Sequence, residues 1–392
     1  MKIGIYGGTF DPPHLGHMDS ARAAMEALDL DKLLFLPARQ PPHKALSPNS
    51  AGPEQRLAMV RLMADGLGPK VQVCDLEYRR EGKSYTSDTL RQLREQYPED
   101  ELWLLMGSDM FLTLQDWHEP EVILSLAGAA AFARTEESRG GVLEAQAETL
   151  RKTYHAKVCT VELPAIREVS STEIREGKHW DALYPPVLGY ILMNRLYGTN
   201  RDLRHLEDAE LRACSLSMVK AKRIRHIMGT ETEAVKLARH WGADVEQARR
   251  AAILHDCTKY WSLEEHLRCC DRYGLELDEM ERQSEKLLHA KSGACMAKYV
   301  FGEPDEVYSA ICYHTTGRAG MTLLEQILYI ADYMEPNRDF EGVERLRRLA
   351  YEDLDAAVLL GCEMSIADME ERGYVLHRNT LQARDWLKGK QE

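Results

Sequence analysis

The sequence predicts an α/β domain followed by an all-helical one. Two observations carry this. Up to residue 199, short apolar runs of strand length alternate with amphipathic runs of helix length. That β-α repetition implies a mainly parallel, doubly wound sheet covered on both faces. From about Gly198 the strand signal stops and long helical periodicities take over. The polar stretch TNRDLRHLEDAELR marks the change, so residues 200–213 read as a linker between domains 1–199 and 214–392.

The predicted strands are KIGIYGG (2–8), KLLFLPA (32–38), KVQVCDLE (70–77), ELWLLMG (101–107), AAAFAR (129–134) and KVCTVEL (157–163). Amphipathic helices are expected over 16–28, 53–65, 86–97 and 119–126. Ligands of such sheets bind at the carboxyl ends of the strands, which directs attention to the loops after strands 1, 2 and 4. In the second half the periodicity predicts helices over 214–229, 231–241, 244–256, 262–273, 279–298, 304–314, 320–335, 341–349 and 351–372.

Composition narrows the function classes. No run of 18 apolar residues exists, so no membrane span is expected. The opening MKIGIYGGTF lacks the apolar core and cleavage site of a signal peptide and reads as the first strand of a mature cytoplasmic protein. The nine cysteines are odd in number and include no C-x-x-C pair, and Cys269 and Cys270 are adjacent. Scattered free thiols fit a reducing compartment. A net charge of −13 argues against nucleic acid as a partner, since phosphate backbones demand a basic surface. A small anionic substrate remains compatible where positive groups gather locally.

GGTFDPPHLGH, residues 7–17, joins the first strand to a helix. Gly7 and Gly8 let the backbone turn sharply and approach a ligand. Pro12 and Pro13 stiffen the helix entry. His14 and His17 share one face at the helix start, beside free N–H groups that attract anions. The string resembles the signature of the nucleotidyltransferase superfamily, whose H-x-G-H element (His14, Gly16, His17) also occurs in class I aminoacyl-tRNA synthetases. PARQPPHK (37–44), SYTSDTL (84–90), LLMGSDMF (104–111) with Trp117, VSSTEIREG (169–177) and YPPVLGYILMNRLY (184–197) resemble, in order, segments of the bacterial-type nicotinate mononucleotide adenylyltransferases.

The resemblance implies a Rossmann-like fold and adenylyl transfer from ATP to nicotinate mononucleotide, giving deamido-NAD and pyrophosphate. It places His14, His17, Lys44 and Arg175 on phosphates, and Gly7, Gly8, Thr9, Phe10, Gly107, Asp109, Ser171 and Thr172 about ATP. Lys44, Thr86, Trp117 and Arg134 then hold the mononucleotide, with Thr86 and Trp117 at the pyridine ring. Mg²⁺ is expected to arrive with ATP, held mostly by phosphate and water. Ser170 and Glu173 also form a capping-box pattern, which a phosphate site tolerates.

The helical half carries His226, the pair His255-Asp256, His289, His314 and Asp332, each on or at the end of a predicted helix. Imidazole and carboxylate donors gathered from several helices suit iron, manganese or zinc, and metal ions so held can activate water for attack on phosphorus. RIRHIMGTETEAVKLA (223–238), AAILHDCTK (251–259), LLHAKSGA (287–294) and AICYHTTGRAGMTLLEQILYIADYMEPNRDF (310–340) resemble the HD phosphohydrolase superfamily. Within it they resemble the symmetrical diadenosine tetraphosphate hydrolases, although LLHAKSGA departs from the usual H-G-P-x-G-A.

On this resemblance His226, His255, Asp256 and Asp332 hold a first metal. His289 and His314 hold a second metal or contact phosphate. Lys259, read as sharing a helix face with Asp256, and Arg338 serve the nucleotide. Dinucleoside polyphosphates are the implied substrates, cleaved to two ADP. Three alternatives stay in view: a related transferase with another acceptor, a helical half that hydrolyses another nucleotide, and a helical half that binds metal and nucleotide only to regulate the first. Homo-oligomerisation stays open.

Overall fold

The computed structural model describes residues 1–41, 46–80, 82, 84–133, 135 and 141–391, and the chain divides into two units, Met1–Thr199 and Asn200–Glu392. The first unit is built on six strands: β1 (Lys2–Gly8), β2 (Lys32–Pro37), β3 (Val71–Val73), β4 (Glu101–Gly107), β5 (Gly128–Phe132) and β6 (Val158–Val161). They form one sheet in the order β3-β2-β1-β4-β5-β6, and every neighbouring pair is parallel.

The period-2 alternation of the strands sorts their side chains into two cores. Ile3 and Ile5 of β1, Leu34 and Leu36 of β2, and Leu102, Leu104 and Met106 of β4 enter one. Tyr6, Leu33, Phe35 and Leu105 from the same strands enter the other. Helices α1 (Leu15–Ala27) and α2 (Pro53–Asp65) cover the Tyr6 face. Helices α3 (Thr86–Gln96), α4 (Ser108–Phe111), α5 (Pro120–Leu126) and α6 (Gly141–Tyr154) cover the Ile5 face. The short α7 (Ser171–Arg175) and α8 (Pro185–Met193) return to the Tyr6 face. Cover on both sides is why the strands read as nearly unbroken apolar runs.

The third strand stops at Val73 instead of reaching residue 77. It lies at the sheet edge, so its backbone can leave the ladder. The chain then turns through Leu76–Arg79, where the buried Glu77 carboxylate accepts the Thr89 hydroxyl at 3.0 Å.

The second unit is helical, with no strand among its described residues. It comprises α9 (Asp208–Ser217), α10 (Ala221–Trp241), α11 (Val245–Leu254), α12 (Leu263–Arg272), α13 (Glu285–Cys295), α14 (Asp305–Tyr313), α15 (Leu323–Met334), α16 (Val343–Glu352), α17 (Leu354–Glu371) and α18 (Arg378–Gln391). The stretch read as a linker, 200–213, holds a turn at Leu203–His205 and the start of α9. Arg250 fastens it by bonding the Leu206 carbonyl and the Asp208 carboxylate, each at 3.2 Å. The terminal α18 had no counterpart among the expected helices.

The helix expected over 214–229 straddles the real break at Met218–Lys220, and α10 runs unbroken through Gly229. Gly229 serves a close approach. A Cβ there would lie 2.2 Å from Glu335 Oε2 and 2.8 Å from Asn337 Nδ2. All nine cysteines are free, and no helix among the described residues is long and apolar enough to cross a membrane.

Gly229→Ala sets two effects against each other. Helix propensity favours alanine by about 1 kcal/mol, whereas overpacking against Glu335 costs roughly 1–3 kcal/mol. A net loss of stability of the helical unit is expected in urea unfolding of the metal-free protein. A variant as stable as the parent would contradict the close approach.

Candidate functional site

The first site follows from where the strands end. A cavity of about 520 Å³ opens beyond the carboxyl ends of β1 and β4, where strand order reverses about β1 and α/β sheets bind ligands. Gly7, Gly8, Thr9, Phe10, His14, His17, Thr86, Gly107, Asp109, Trp117, Ser171, Thr172 and Arg175 all line it. Lys44 and Arg134, also anticipated, lie outside the described residues.

His14 is the N-cap of α1, and its backbone N–H donates to His17 Nδ1 at 3.2 Å. The two rings lie 3.8 Å apart between centroids. Phe10 is buried and forms the floor, edge-on to His17 at 5.0 Å and to Phe35 at 5.6 Å. It therefore supports His17 more than it projects toward a ligand. A Cβ at Gly8 would press on the Phe10 ring at 3.0 Å, so a larger residue there would have to displace the ring slightly. The capping box forms as expected: Ser170 Oγ accepts from Glu173 N at 3.2 Å, and Glu173 Oε2 accepts from Ser170 N at 3.0 Å. Ser171 Oγ donates to the Pro12 carbonyl at 2.8 Å, tying α7 to the His14 loop.

The second site collects donors from five helix bodies or ends. His226 lies on α10, His255 and Asp256 follow α11, His289 lies on α13, His314 follows α14, and Asp332 lies on α15. They form two groups, His226-His255-Asp332 and Asp256-His289-His314, within each of which the donor atoms lie within 4.8 Å of one another. Asp256 faces both. Its Oδ2 is 3.7 Å from His226 Nε2 and 3.6 Å from His255 Nε2, and its Oδ1 is 3.1 Å from His289 Nε2 and 3.8 Å from His314 Nε2.

His255 and His314 use one device twice. Each ring follows a helix end and puts Nδ1 at 2.7 Å from the carbonyl three residues back, Ala252 and Ile311. That bond leaves Nε2 with a lone pair aimed at the centre, the orientation a metal-binding histidine needs. Burial pushes the imidazole of His255 down to about 3 and that of His289 to about 4, so both are neutral donors near pH 7. Burial opposes ionisation of Asp256, but the surrounding imidazoles and Lys259 hold its carboxyl well below the usual range. Asp256 Oδ1 is wholly buried, 3.1 Å from His289 Nε2 and 3.5 Å from Lys259 Nζ. Neutral imidazoles converging on a buried, ionised carboxylate form a donor set that fits divalent cations.

Residues 5–177 match the cytidylyltransferase-like family and residues 223–337 match the HD domain. A protein of Shewanella sp. (strain ANA-3), named "Probable nicotinate-nucleotide adenylyltransferase", is 37% identical over 215 residues, covering 50% of this chain and 99% of the relative. One of the same name from Exiguobacterium sibiricum is 42% identical over 204 residues, covering 51% of this chain and 100% of the relative. The chain belongs to the nicotinate-nucleotide adenylyltransferase family. A Clostridium acetobutylicum crystal structure called a "predicted HD superfamily hydrolase involved in NAD metabolism" is 38% identical, with a TM-score of 0.46, covering 47% of this chain and 98% of that one.

Several residues of both sites were not anticipated. Arg56 of α2 is completely buried and donates to the carbonyls of Thr9 at 2.9 Å, Ala38 at 2.7 Å and Arg39 at 2.9 Å. It thereby pins the loops after β1 and β2 together in this adenylyltransferase-family unit. In the sequence it is one more charge on an amphipathic helix, and no local signal separates it. In the HD domain, Glu335 Oε1 holds His226 Nδ1 at 3.2 Å. Its Oε2 accepts from Asn337 N and Nδ2, each at 2.7 Å.

Arg223 pairs with Asp256 Oδ2. Lys259 Nζ lies 3.5 Å from Asp256 Oδ1 and 3.0 Å from His289 Nε2. Arg338 Nη2 bonds Asp332 Oδ1 at 3.1 Å. Lys259 reaches Asp256 through a turn, with its N–H on the Asp256 carbonyl at 2.9 Å, because α11 ends at Leu254; the shared helix face read from the sequence does not form.

Arg56→Ala leaves three carbonyls without their donor, at a cost of roughly 1–3 kcal/mol each at most. Scanning calorimetry is expected to show the first unit unfolding at lower temperature with the HD unit unchanged. A shift in both transitions, or in neither, would contradict this account.

Proposed function

We propose that the chain is a bifunctional enzyme of nucleotide metabolism: an adenylyltransferase joining ATP and nicotinate mononucleotide, and a metal-dependent hydrolase of diadenosine tetraphosphate. The first reading is carried by the paired rings of His14 and His17 in one cavity with Arg175, Thr86 and Trp117. The second is carried by the carboxylate of Asp256, one oxygen turned to each of two donor groups.

In the transfer reaction a mononucleotide phosphate oxygen attacks the α-phosphorus of ATP in line, and pyrophosphate leaves. No covalent enzyme intermediate is needed, so catalysis is alignment plus stabilisation of phosphoryl charge. His14, His17 and Arg175 are suited to those oxygens, and Lys44 is assigned with them. Gly7 and Gly8 admit the nucleotide backbone, with Thr9, Gly107, Asp109, Ser171 and Thr172 about ATP. Trp117 and Thr86 are suited to a pyridine ring, and Arg134 to the mononucleotide phosphate. Mg²⁺ enters with ATP.

In the helical unit, His226, His255 and Asp332 would hold one divalent ion and His289 and His314 another, with Asp256 between them; iron, manganese and zinc all suit these donors. Such ions supply charge against phosphate and an activated water. Arg223, Lys259 and Arg338 stand about the same carboxylates, and their side chains are 19%, 30% and 35% exposed, open enough to meet a polyphosphate. Water attack at an inner phosphorus yields two ADP. The substrate rests on the resemblance of 223–238, 251–259 and 310–340 to the symmetrical hydrolases.

The purified, metal-reconstituted protein is expected to make deamido-NAD from ATP and nicotinate mononucleotide, and ADP alone from diadenosine tetraphosphate, read by chromatography. ATP plus AMP as the hydrolysis products, or no hydrolysis with about two ions bound, would overturn the second reading. His17→Ala is expected to lower transfer by on the order of a hundredfold or more and to spare hydrolysis. Asp256→Ala should do the reverse and lose bound metal by elemental analysis.

Trp117→Ala should raise KM for the mononucleotide by roughly tenfold and leave KM for ATP nearly unchanged. An equal rise in both would count against ring stacking.

A further inference from the structure

We infer that Asp11 is a positioning residue for adenylyl transfer, holding the Arg175 guanidinium at the nucleotide cavity while Tyr197 locks Asp11 in place. The inference rests on the adenylyltransferase reading above. An acidic side chain in the middle of GGTFDPPHLGH is at odds with a loop meant to receive phosphates, since its charge has the wrong sign. The structure resolves the conflict by burying it: Asp11 is 2% exposed, and both carboxylate oxygens are engaged within the protein. Oδ1 accepts the Tyr197 hydroxyl at 2.8 Å and the Ala51 N–H at 3.0 Å. Oδ2 lies 3.5 Å from Arg175 Nη1, which also donates to the Asp11 carbonyl at 2.5 Å. Arg175 Nη2 donates to Thr172 Oγ1 at 3.1 Å.

Three remote segments therefore meet at one carboxylate: the entrance of α2, the end of α7 and the close of the first unit. Arg175 most needs the support. It sits on a helix only five residues long, and fixing a free arginine side chain costs up to about 2 kcal/mol of rotamer freedom. Held beforehand by Asp11, it meets the ATP phosphates without that cost. A guanidinium has five N–H donors, so one side can face Asp11 while another meets phosphate.

Tyr197 completes the lock. Its backbone has φ 55° and ψ 32°, a left-handed conformation that an aromatic residue rarely adopts. Burial first, then the charge of Asp11, hold its phenol above the ordinary tyrosine range, so it remains a donor at any working pH.

A positioning role and a purely structural one differ in coupling. The full-length protein would be prepared as Asp11→Asn, Tyr197→Phe, Arg175→Ala and Asp11→Asn/Arg175→Ala. ATP and mononucleotide KM, kcat and thermal melting would be measured for each, with hydrolysis by the second unit as the control for intact protein. Asp11→Asn is expected to raise the ATP KM roughly tenfold in the parent and less than about twofold when Arg175 is already Ala, with the mononucleotide KM little changed.

The same cycle read as ATP dissociation constants by titration calorimetry keeps the test independent of turnover. Absence of any deamido-NAD in the parent would sink the transferase reading, whereas the coupling would still be read from ATP binding. If Asp11→Asn does not fold, Tyr197→Phe carries the same cycle. Equal costs in both backgrounds, or equal rises for both substrates, would overturn the role.

Discussion

A buried polar atom must be satisfied by the protein itself, and that constraint organises both units. Leaving such an atom unpaired costs more than making its bond gains. In the first unit the penalty is avoided by running long-range bonds through the loops that surround the cavity. Arg56 closes on three carbonyls, and Asp11 takes donors from Tyr197 and Ala51. In the second unit it is avoided at the ring nitrogens: the Nδ1 atoms of His255 and His314 bond carbonyls of their own helices, and His226 bonds Glu335. Asp256 Oδ1, buried between His289 and Lys259, faces the group where an ion would go.

On the functions proposed, the two sites would meet phosphate by different electrostatic routes. The cavity on the sheet offers imidazoles and a guanidinium braced by neutral and anionic groups of the loop. The helical centre is anionic at its heart, with Asp256 and Asp332 ionised. On the hydrolase proposed, it would accept a polyphosphate only after cations reverse that charge. Arg223, Lys259 and Arg338 supply part of the reversal, and divalent ions fit the rest. An overall charge of −13 is therefore compatible with two phosphate-handling sites, because the relevant charge is local.

The sheet was legible because its central strands are covered on both faces, which writes an apolar run into the sequence. The edge strand β3 was overextended for the complementary reason: after Cys74, whose N–H still bonds the Phe35 carbonyl of β2, the chain turns through Leu76–Arg79 and Glu77 is held by Thr89. The ranges 214–229 and 231–241 split one helix, α10, which runs through Gly229 where Glu335 approaches it closely. The histidines and aspartates of the second unit were legible as a set, since each falls on or at the end of a helix. Glu335, Arg223 and Arg56 were not, since each acts on a partner distant in sequence or on backbone that carries no signal.

The sequence by itself determined the order of the two domains, the strand-end loops to watch, the His14-His17 pair and the six histidines and aspartates that converge in the helical unit. These are local properties: periodicity, a turn and residue types at set spacings. Only the tertiary structure decided that Asp256 turns one oxygen to each donor group, that Arg56 and Asp11 brace the cavity, and that Tyr197 closes on a loop near the start of the chain. Those depend on which distant atoms become neighbours once water is excluded, and spacing along the chain does not encode that.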